Sequence, residues 1–395
     1  MNWRERIIKT IKSERVDFLP FAPRLDLWYK SNKLNGTLPQ KYKNSSLENI
    51  ALDLDVGFNY VVPDFRNFID RKSGGILGLG IYDLKTNPYR IIMDSIDFES
   101  VTNREGLTTS FFETPYGKII TKTLYNEKMR LDGATIGHTI EHAVKNLKDV
   151  KPLGYIFEQI AVEENYKDFL NYKNFIGDNG VCIAFSMLSG SPMHHIMKEL
   201  MPFEKFIYEL NDNRKELEGL AEKIGIFFKK VLSISLKSQS DIIFLGANYD
   251  IFLTWPPFFK EFIMPYLKEY SVKAHKLGKF ILTHADGENS GLIQEYLDGQ
   301  IDIADSICPY PMTDLTLKEV REKFNGKITI WGGLPSISVL EESMSDVNFD
   351  RFINEFFTDL KDGRNIILSF ADTTPPGAKF ERIEKVAKMA RNFSF

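Results

Sequence analysis

Short runs of apolar and β-branched residues recur along the whole chain, most of them ending at a polar or glycine-rich corner. Eight such runs stand out, at residues 18–22, 58–62, 181–186, 241–245, 279–283, 301–306, 327–331 and 365–369. Several are apolar nearly throughout, the pattern of strands buried on both faces of a parallel sheet. Between most of them the apolar positions recur at helical spacing. Residues 203–237 predict two helices, 257–277 one, and 293–297, 315–324, 349–360 and 379–392 one each. Eight strands alternating with helices predict an α/β chain folded as a (β/α)8 TIM barrel rather than as two doubly wound domains.

The alternation breaks between the second and third strands. Residues 66–180 are too long for an ordinary loop and are expected to cap the barrel mouth, within a single domain spanning 1–395. Inside this insertion Thr114-Pro-Tyr-Gly-Lys-Ile-Ile-Thr-Lys-Thr123 predicts a β-hairpin on a Pro-Tyr-Gly turn. The glycine-rich stretch Gly74-Gly-Ile-Leu-Gly-Leu-Gly80 neither follows a strand nor leads into a Gly-Lys-Ser/Thr helix start. It therefore reads as a mobile surface loop rather than a phosphate cradle.

Composition narrows the classes. With 395 residues, 43% of them hydrophobic, the chain can bury a large core. A formal charge of −4 and a pI near 6.0 provide no global attraction to nucleic acid or anionic lipid. No apolar run reaches the ~18 residues a membrane helix needs, and the charged N-terminus has no secretory apolar region. Cys182 and Cys308 are too few for a disulfide scaffold. A cytoplasmic protein is expected.

Barrels of this kind gather their chemistry where strands end and loops begin. Those positions hold Arg24 and Asp26 after strand one, Asp64 and Arg66 after strand two, and His194 and His195 beyond strand three. Strand four leads to Asn248 and Asp250, strand five to His284 and Asp286, and strand eight to Ser369 and Asp372. In an extended segment residues i and i+2 point to one side, so His284 and Asp286 aim an imidazole and a carboxylate at one spot. The pair can chelate a metal, or work as an acid and its orienting base. Plainer readings stand beside these. Asp286 before Gly287 suits an Asx turn, Asp372 a helix cap, and His194 and His195 packing at a helix start. His138 and His142 are one helical turn apart, but Thr139 follows His138 where a zincin motif carries glutamate. Met193, Met197 and Met201 read as a core face, and Cys308 as a small buried hydrophobe.

The order of these features resembles the uroporphyrinogen decarboxylase superfamily over nearly the whole chain. The resemblance is carried by Arg4-Glu-Arg-Ile-Ile-Lys-Thr-Ile-Lys12, Val16-Asp-Phe-Leu-Pro20, Ser191-Pro192, Pro265, His284-Ala-Asp-Gly287, Trp331-Gly-Gly-Leu-Pro335 and the closing segment 375–391. It implies a barrel and one of two chemistries. Decarboxylases of this family remove acetate carboxylates from a porphyrinogen without a cofactor. Their relatives move a methyl group to or from a corrinoid carried by a partner protein, typically with zinc.

The decarboxylase pocket needs several cations. Where the family offers Arg-Gln-Ala-Gly-Arg, this chain has Ala22-Pro-Arg-Leu-Asp26, and the family's tyrosine after strand three corresponds to Lys198. The methyltransferases carry His-x-Cys-Gly after strand five and a second cysteine after strand eight. Here His284-Ala-Asp286-Gly287 and Asp372 take those places, leaving a histidine and two carboxylates as the implied ligands of a divalent metal such as zinc.

The expectation is a methyltransferase acting on a methylated small molecule, such as a methyl ether, with a corrinoid supplied by a partner protein. Asp64 or Asp250 would orient or protonate the substrate. Arg24 would hold an anionic group, with Asp26 and Asn248 beside it. The alternatives are a decarboxylase acting on a tetrapyrrole and a non-catalytic barrel that binds a corrinoid or tetrapyrrole. A homodimer is implied by the resemblance alone.

Overall fold

Three sheets organise the residues that the computed structural model describes, 1–59 and 77–393. In the inserted region β1 (Tyr89–Ile92) pairs antiparallel with β6 (Ala161–Glu164). Between them β2 (Asp97–Thr102), β3 (Leu107–Thr114), β4 (Gly117–Leu124) and β5 (His138–Glu141) form a four-stranded antiparallel sheet. The predicted hairpin is β3–β4, closed between Thr114 and Gly117. Alternate side chains of the hairpin face inward, and buried Phe112 and Ile119 stand opposite each other in its register.

The remaining sheet is parallel, in the order β12-β11-β10-β9-β8-β7. Its strands are β7 (Ile183–Met187), β8 (Ile242–Ala247), β9 (Phe280–His284), β10 (Ile303–Ile307), β11 (Thr329–Pro335) and β12 (Ile366–Ala371). They match the third to eighth predicted strands, with helices between successive members. Residues 203–237 form two helices, Phe203–Asp212 and Arg214–Lys237. The helix predicted at 257–277 runs from Pro256 to Lys276 through a widened π turn, Phe259–Ile263. Pro265 has no N–H for the carbonyl four residues back, and the widened turn before it accommodates that loss.

Alternation along the strands builds a core on each face of the sheet. On one face Ile183, Phe185, Ile242, Phe244, Leu282, Ile303, Trp331 and Ile367 meet Ile7 and Ile11 of the first helix and Tyr82 and Leu84 of the insertion. On the other, residues such as Ile243, Ile281, Ala304, Ile330 and Leu368 join the core that the helices cover. No helix among the described residues is long and apolar enough to cross a membrane.

Beyond the sheet edges the pairing is sparser. Of the first predicted strand only a parallel bridge, Phe21 to Leu368, is formed, with Leu368 N donating to Pro20 O at 2.7 Å and Ala22 N to Leu368 O at 2.9 Å. Gly57 N donates to Phe21 O at 3.0 Å, and Phe58 bridges Gly180. Residues 60–62 of the second predicted strand lie outside the described residues, as do Asp64 and Arg66.

Two expectations in the insertion are corrected. The segment Leu77-Gly-Leu-Gly80 is packed rather than a surface loop. Leu77 and Leu79 are each 1% exposed, and Leu79 O lies 2.9 Å from His195 Nε2. At Gly80, with φ +65°, a Cβ would come within 2.6 Å of the Glu199 side chain, so glycine permits the close approach. His138 lies in strand β5 and not on a helix. His142 follows the end of that strand, so the pair does not stand on one helical turn.

Candidate metal centre at the carboxyl ends of the parallel strands

The face that carries Leu282 and Ile303 turns polar two residues further along. His284 follows Leu282 and Asp305 follows Ile303, and the parallel register sets these two residues opposite each other. His284 Nδ1 lies 2.5 Å from Asp305 Oδ2, and both side chains are 5% exposed. A carboxylate only accepts, so Nδ1 carries the hydrogen and the ring presents Nε2 outward. There it meets Asp372 Oδ1 at 3.0 Å and Asp286 Oδ1 at 3.8 Å.

Asp372 follows β12, where Ser306 Oγ donates to its backbone oxygen at 3.1 Å. Ser306 has φ +63° at a register irregularity in β10, a bulge that turns its hydroxyl toward the neighbouring loop. Arg24 Nη1 lies 3.4 Å from Asp372 Oδ1, and Arg24 Nε donates to Asp26 Oδ1 at 3.0 Å. Asn248 Nδ2 donates to Asp286 Oδ2 at 3.2 Å, leaving buried Asp286 Oδ1 without a hydrogen-bond partner.

These contacts set the charges. Burial opposes a proton on His284, but Asp286 and Asp372, with the hydrogen bonds to Asp305 and Asp372, outweigh it and raise the imidazole well above its ordinary value. Burial also opposes charge on Asp372. His284, then Arg24, outweigh that burial and hold the carboxyl well below the usual range. Asp286 moves upward, chiefly through burial. Cys308 is pushed up to about 12, first by burial and then by Asp286 and Asp372, which suits the expected buried thiol.

A neutral imidazole with its hydrogen on Nδ1 would turn a lone pair toward two carboxylates. A proton or a cation must lie between them. His284, Asp286 and Asp372 each offer one ligand atom, all within 4.8 Å of one another. One nitrogen and two carboxylates form a borderline-to-hard donor set that fits zinc or a similar divalent ion. The partnerless Asp286 oxygen supports the fit, and Asp305 supplies the carboxylate–histidine support common around such ions.

No known protein-family model matches the chain, and no curated protein matches it in sequence. The site must therefore be read from its own geometry.

Other expected residues take different places. Asp250 accepts from the backbone N–H of Phe252 at 2.8 Å and of Glu288 at 3.0 Å. Its carboxylate ties the loops after β8 and β9 together. Because Glu288 N goes to Asp250, it does not close an Asx turn onto Asp286. Asp372 caps no helix, since the next helix begins at Phe380. Arg24 is bonded to Asp26, whose other carboxylate oxygen is buried without a hydrogen-bond partner. His194 and His195 are fully buried packing residues, and burial chiefly lowers His195 to about 4.

Asp305 and Ser306 are the residues bonded to this cluster that the sequence expectations lacked. Counting by twos from Ile303 places the carboxylate of Asp305 on the side of the strand that carries Ile303, and that misfit was the available signal.

Proposed function

We propose that this chain is a metal-dependent enzyme whose cation, held by His284 Nε2, Asp286 and Asp372, assists methyl transfer from a methylated small molecule. The observation that carries the reading is the orientation of His284. Its Nδ1 is committed to Asp305, and Nε2 faces two carboxylates that only a positive species between them can reconcile.

A (β/α)8 barrel is the architecture that accompanies this reading. Hydrogen bonds from Leu368 to the segment at Pro20–Ala22, from Gly57 to Phe21, and from Phe58 to Asn179 continue pairing from β12 toward the start of β7. The centre then sits at the carboxyl ends of the strands, where barrel enzymes place their chemistry.

When bound, a zinc-like ion supplies a Lewis acid that makes an ether oxygen a better leaving group. The chain's own residues prepare that site. Asp305 keeps the imidazole in one tautomer and orientation, Arg24 and Ser306 hold Asp372, and Asn248 holds Asp286. The resemblance to the uroporphyrinogen decarboxylase superfamily supports the choice of methyl transfer, with a partner protein's corrinoid as acceptor. The decarboxylase reading is less favoured because Arg24 already pairs with Asp26 and Asp372, while a polycarboxylate substrate calls for free cations.

Metal analysis of the purified protein tests the reading. One equivalent of a divalent metal, lost in His284→Ala and Asp286→Ala, is expected, together with demethylation of a methyl ether when a corrinoid protein is supplied. A well-folded protein that binds no added zinc would overturn it. Turnover of uroporphyrinogen after chelation would replace it with the decarboxylase.

A further inference from the structure

Lys198 lies just outside the candidate ligands, on the turn Ile196–Leu200, which is widened to π-helical hydrogen bonding. Such turns insert one extra residue and recur at functional sites. Lys198 Nζ donates to Asn248 Oδ1 at 3.0 Å, with Leu188 O at 3.5 Å and Glu199 Oε1 at 3.6 Å as more distant neighbours. Asn248 is anchored at the other end of its contacts. Its backbone N–H donates to His284 O at 3.1 Å, and its Nδ2 donates to Asp286 Oδ2 at 3.2 Å.

An ammonium can only donate and a carboxylate can only accept. An asparagine between them satisfies both in one orientation, with oxygen toward the lysine and nitrogen toward the aspartate. Asn248 therefore occupies Asp286 Oδ2. The partnerless Oδ1, 3.8 Å from His284 Nε2, remains as the ligand oxygen.

We infer that Lys198, acting through Asn248, is a positioning residue for Asp286 that fixes which carboxylate oxygen faces the cation. The inference rests on the metal reading of His284, Asp286 and Asp372. Lys198 also polarises the amide, strengthening the N–H that Asn248 offers to Asp286. Supports of this kind typically change metal affinity by about 10–100-fold when removed.

Cobalt(II) titration of the full chain, followed by its visible d–d bands, tests the relay because those bands report ligand geometry independently of turnover. Lys198→Met is expected to weaken cobalt binding about 10–100-fold and to shift the bands. Lys198→Arg keeps a donor and should retain the unaltered spectrum. Asn248 has φ +61°, so Asn248→Gly preserves the backbone conformation while deleting the amide. It should match Lys198→Met, and the double variant should lose no more than Asn248→Gly alone.

Unchanged affinity and bands in Lys198→Met, with binding still abolished by His284→Ala, would overturn the relay and leave the metal reading standing. Additive losses in the double variant would also overturn it. Should Lys198→Met not fold, unchanged binding by Asn248→Gly would do so alone. An unaltered protein that binds no cobalt would overturn both readings together.

Discussion

His284 and Asp305 face each other across β9 and β10, with Nδ1 and Oδ2 2.5 Å apart and each side chain 5% exposed. Asp305→Ala should remove the acceptor that orients the imidazole. Zinc affinity is expected to fall about 10–100-fold, measured by calorimetry, with secondary structure retained by circular dichroism. An unchanged affinity would show that the ring is held by other means.

The metal-free protein should lose stability on the alkaline side. The folded-state pKa of His284 is raised by Asp286, Asp372 and Asp305 against burial. Its stabilising contribution is therefore complete below the unfolded value of about 6.5 and disappears as pH rises through the higher folded value. Asp372 has the opposite sign. Its lowered folded pKa stabilises above the unfolded value of about 4 and loses that contribution as pH falls through the folded one. Asp286, raised by burial, partly offsets Asp372 on the acid side. Melting temperatures measured from neutral to alkaline pH should decline more steeply for the unaltered protein than for His284→Gln. Saturating zinc should flatten the alkaline decline, because the ion replaces the proton at Nε2.

Arg24→Ala should destabilise the chain measurably. Arg24 is 12% exposed and Asp26 is 14% exposed, so the change leaves a buried carboxylate without its partner. A loss of about 3 kcal/mol is expected from urea unfolding. Asp26 is expected to contribute more of it than Asp372, because Asp372 keeps His284 as a partner when Arg24 is removed. Arg24→Lys should recover part of the loss. Equal stability of all three proteins would remove Arg24 as the electrostatic anchor of the centre.

Gly246, at the end of β8, has φ +81°, and a Cβ there would overlap the Tyr249 hydroxyl and approach Gly190 Cα to 2.8 Å. Gly246→Ala combines a disfavoured backbone with overpacking and should cost about 3 kcal/mol. The loop it introduces carries Asn248, so weaker metal binding should accompany the lower melting temperature.

The strands from β7 to β12 and their intervening helices were legible because apolar spacing is a local property, and continuous apolar runs mark strands buried on both faces. Asp305 was hidden by the same rule, absorbed with Asp302 and Ser306 into a run classed as strand interior. Asp250 was legible as a carboxylate at a strand end, but not its tie to backbone N–H groups of two loops, which only the fold brings together. Leu77-Gly-Leu-Gly80 misled for a related reason, since its glycines signal close approach as readily as freedom. At His138 the spacing fits either a helical turn or extended chain, and pairing with β4 selected the strand.

By itself the sequence determined the order of strands and helices and the common side of His284 and Asp286, because side-chain direction along a strand repeats every two residues. The resemblance it carries added Asp372. Tertiary structure alone decided that Asp305 locks the ring, that Arg24 pairs with Asp26 and Asp372, and that Lys198 reaches Asp286 through Asn248. Those relations join residues from separate strands and loops. They depend on strand order and register, which long-range packing sets and no local period encodes.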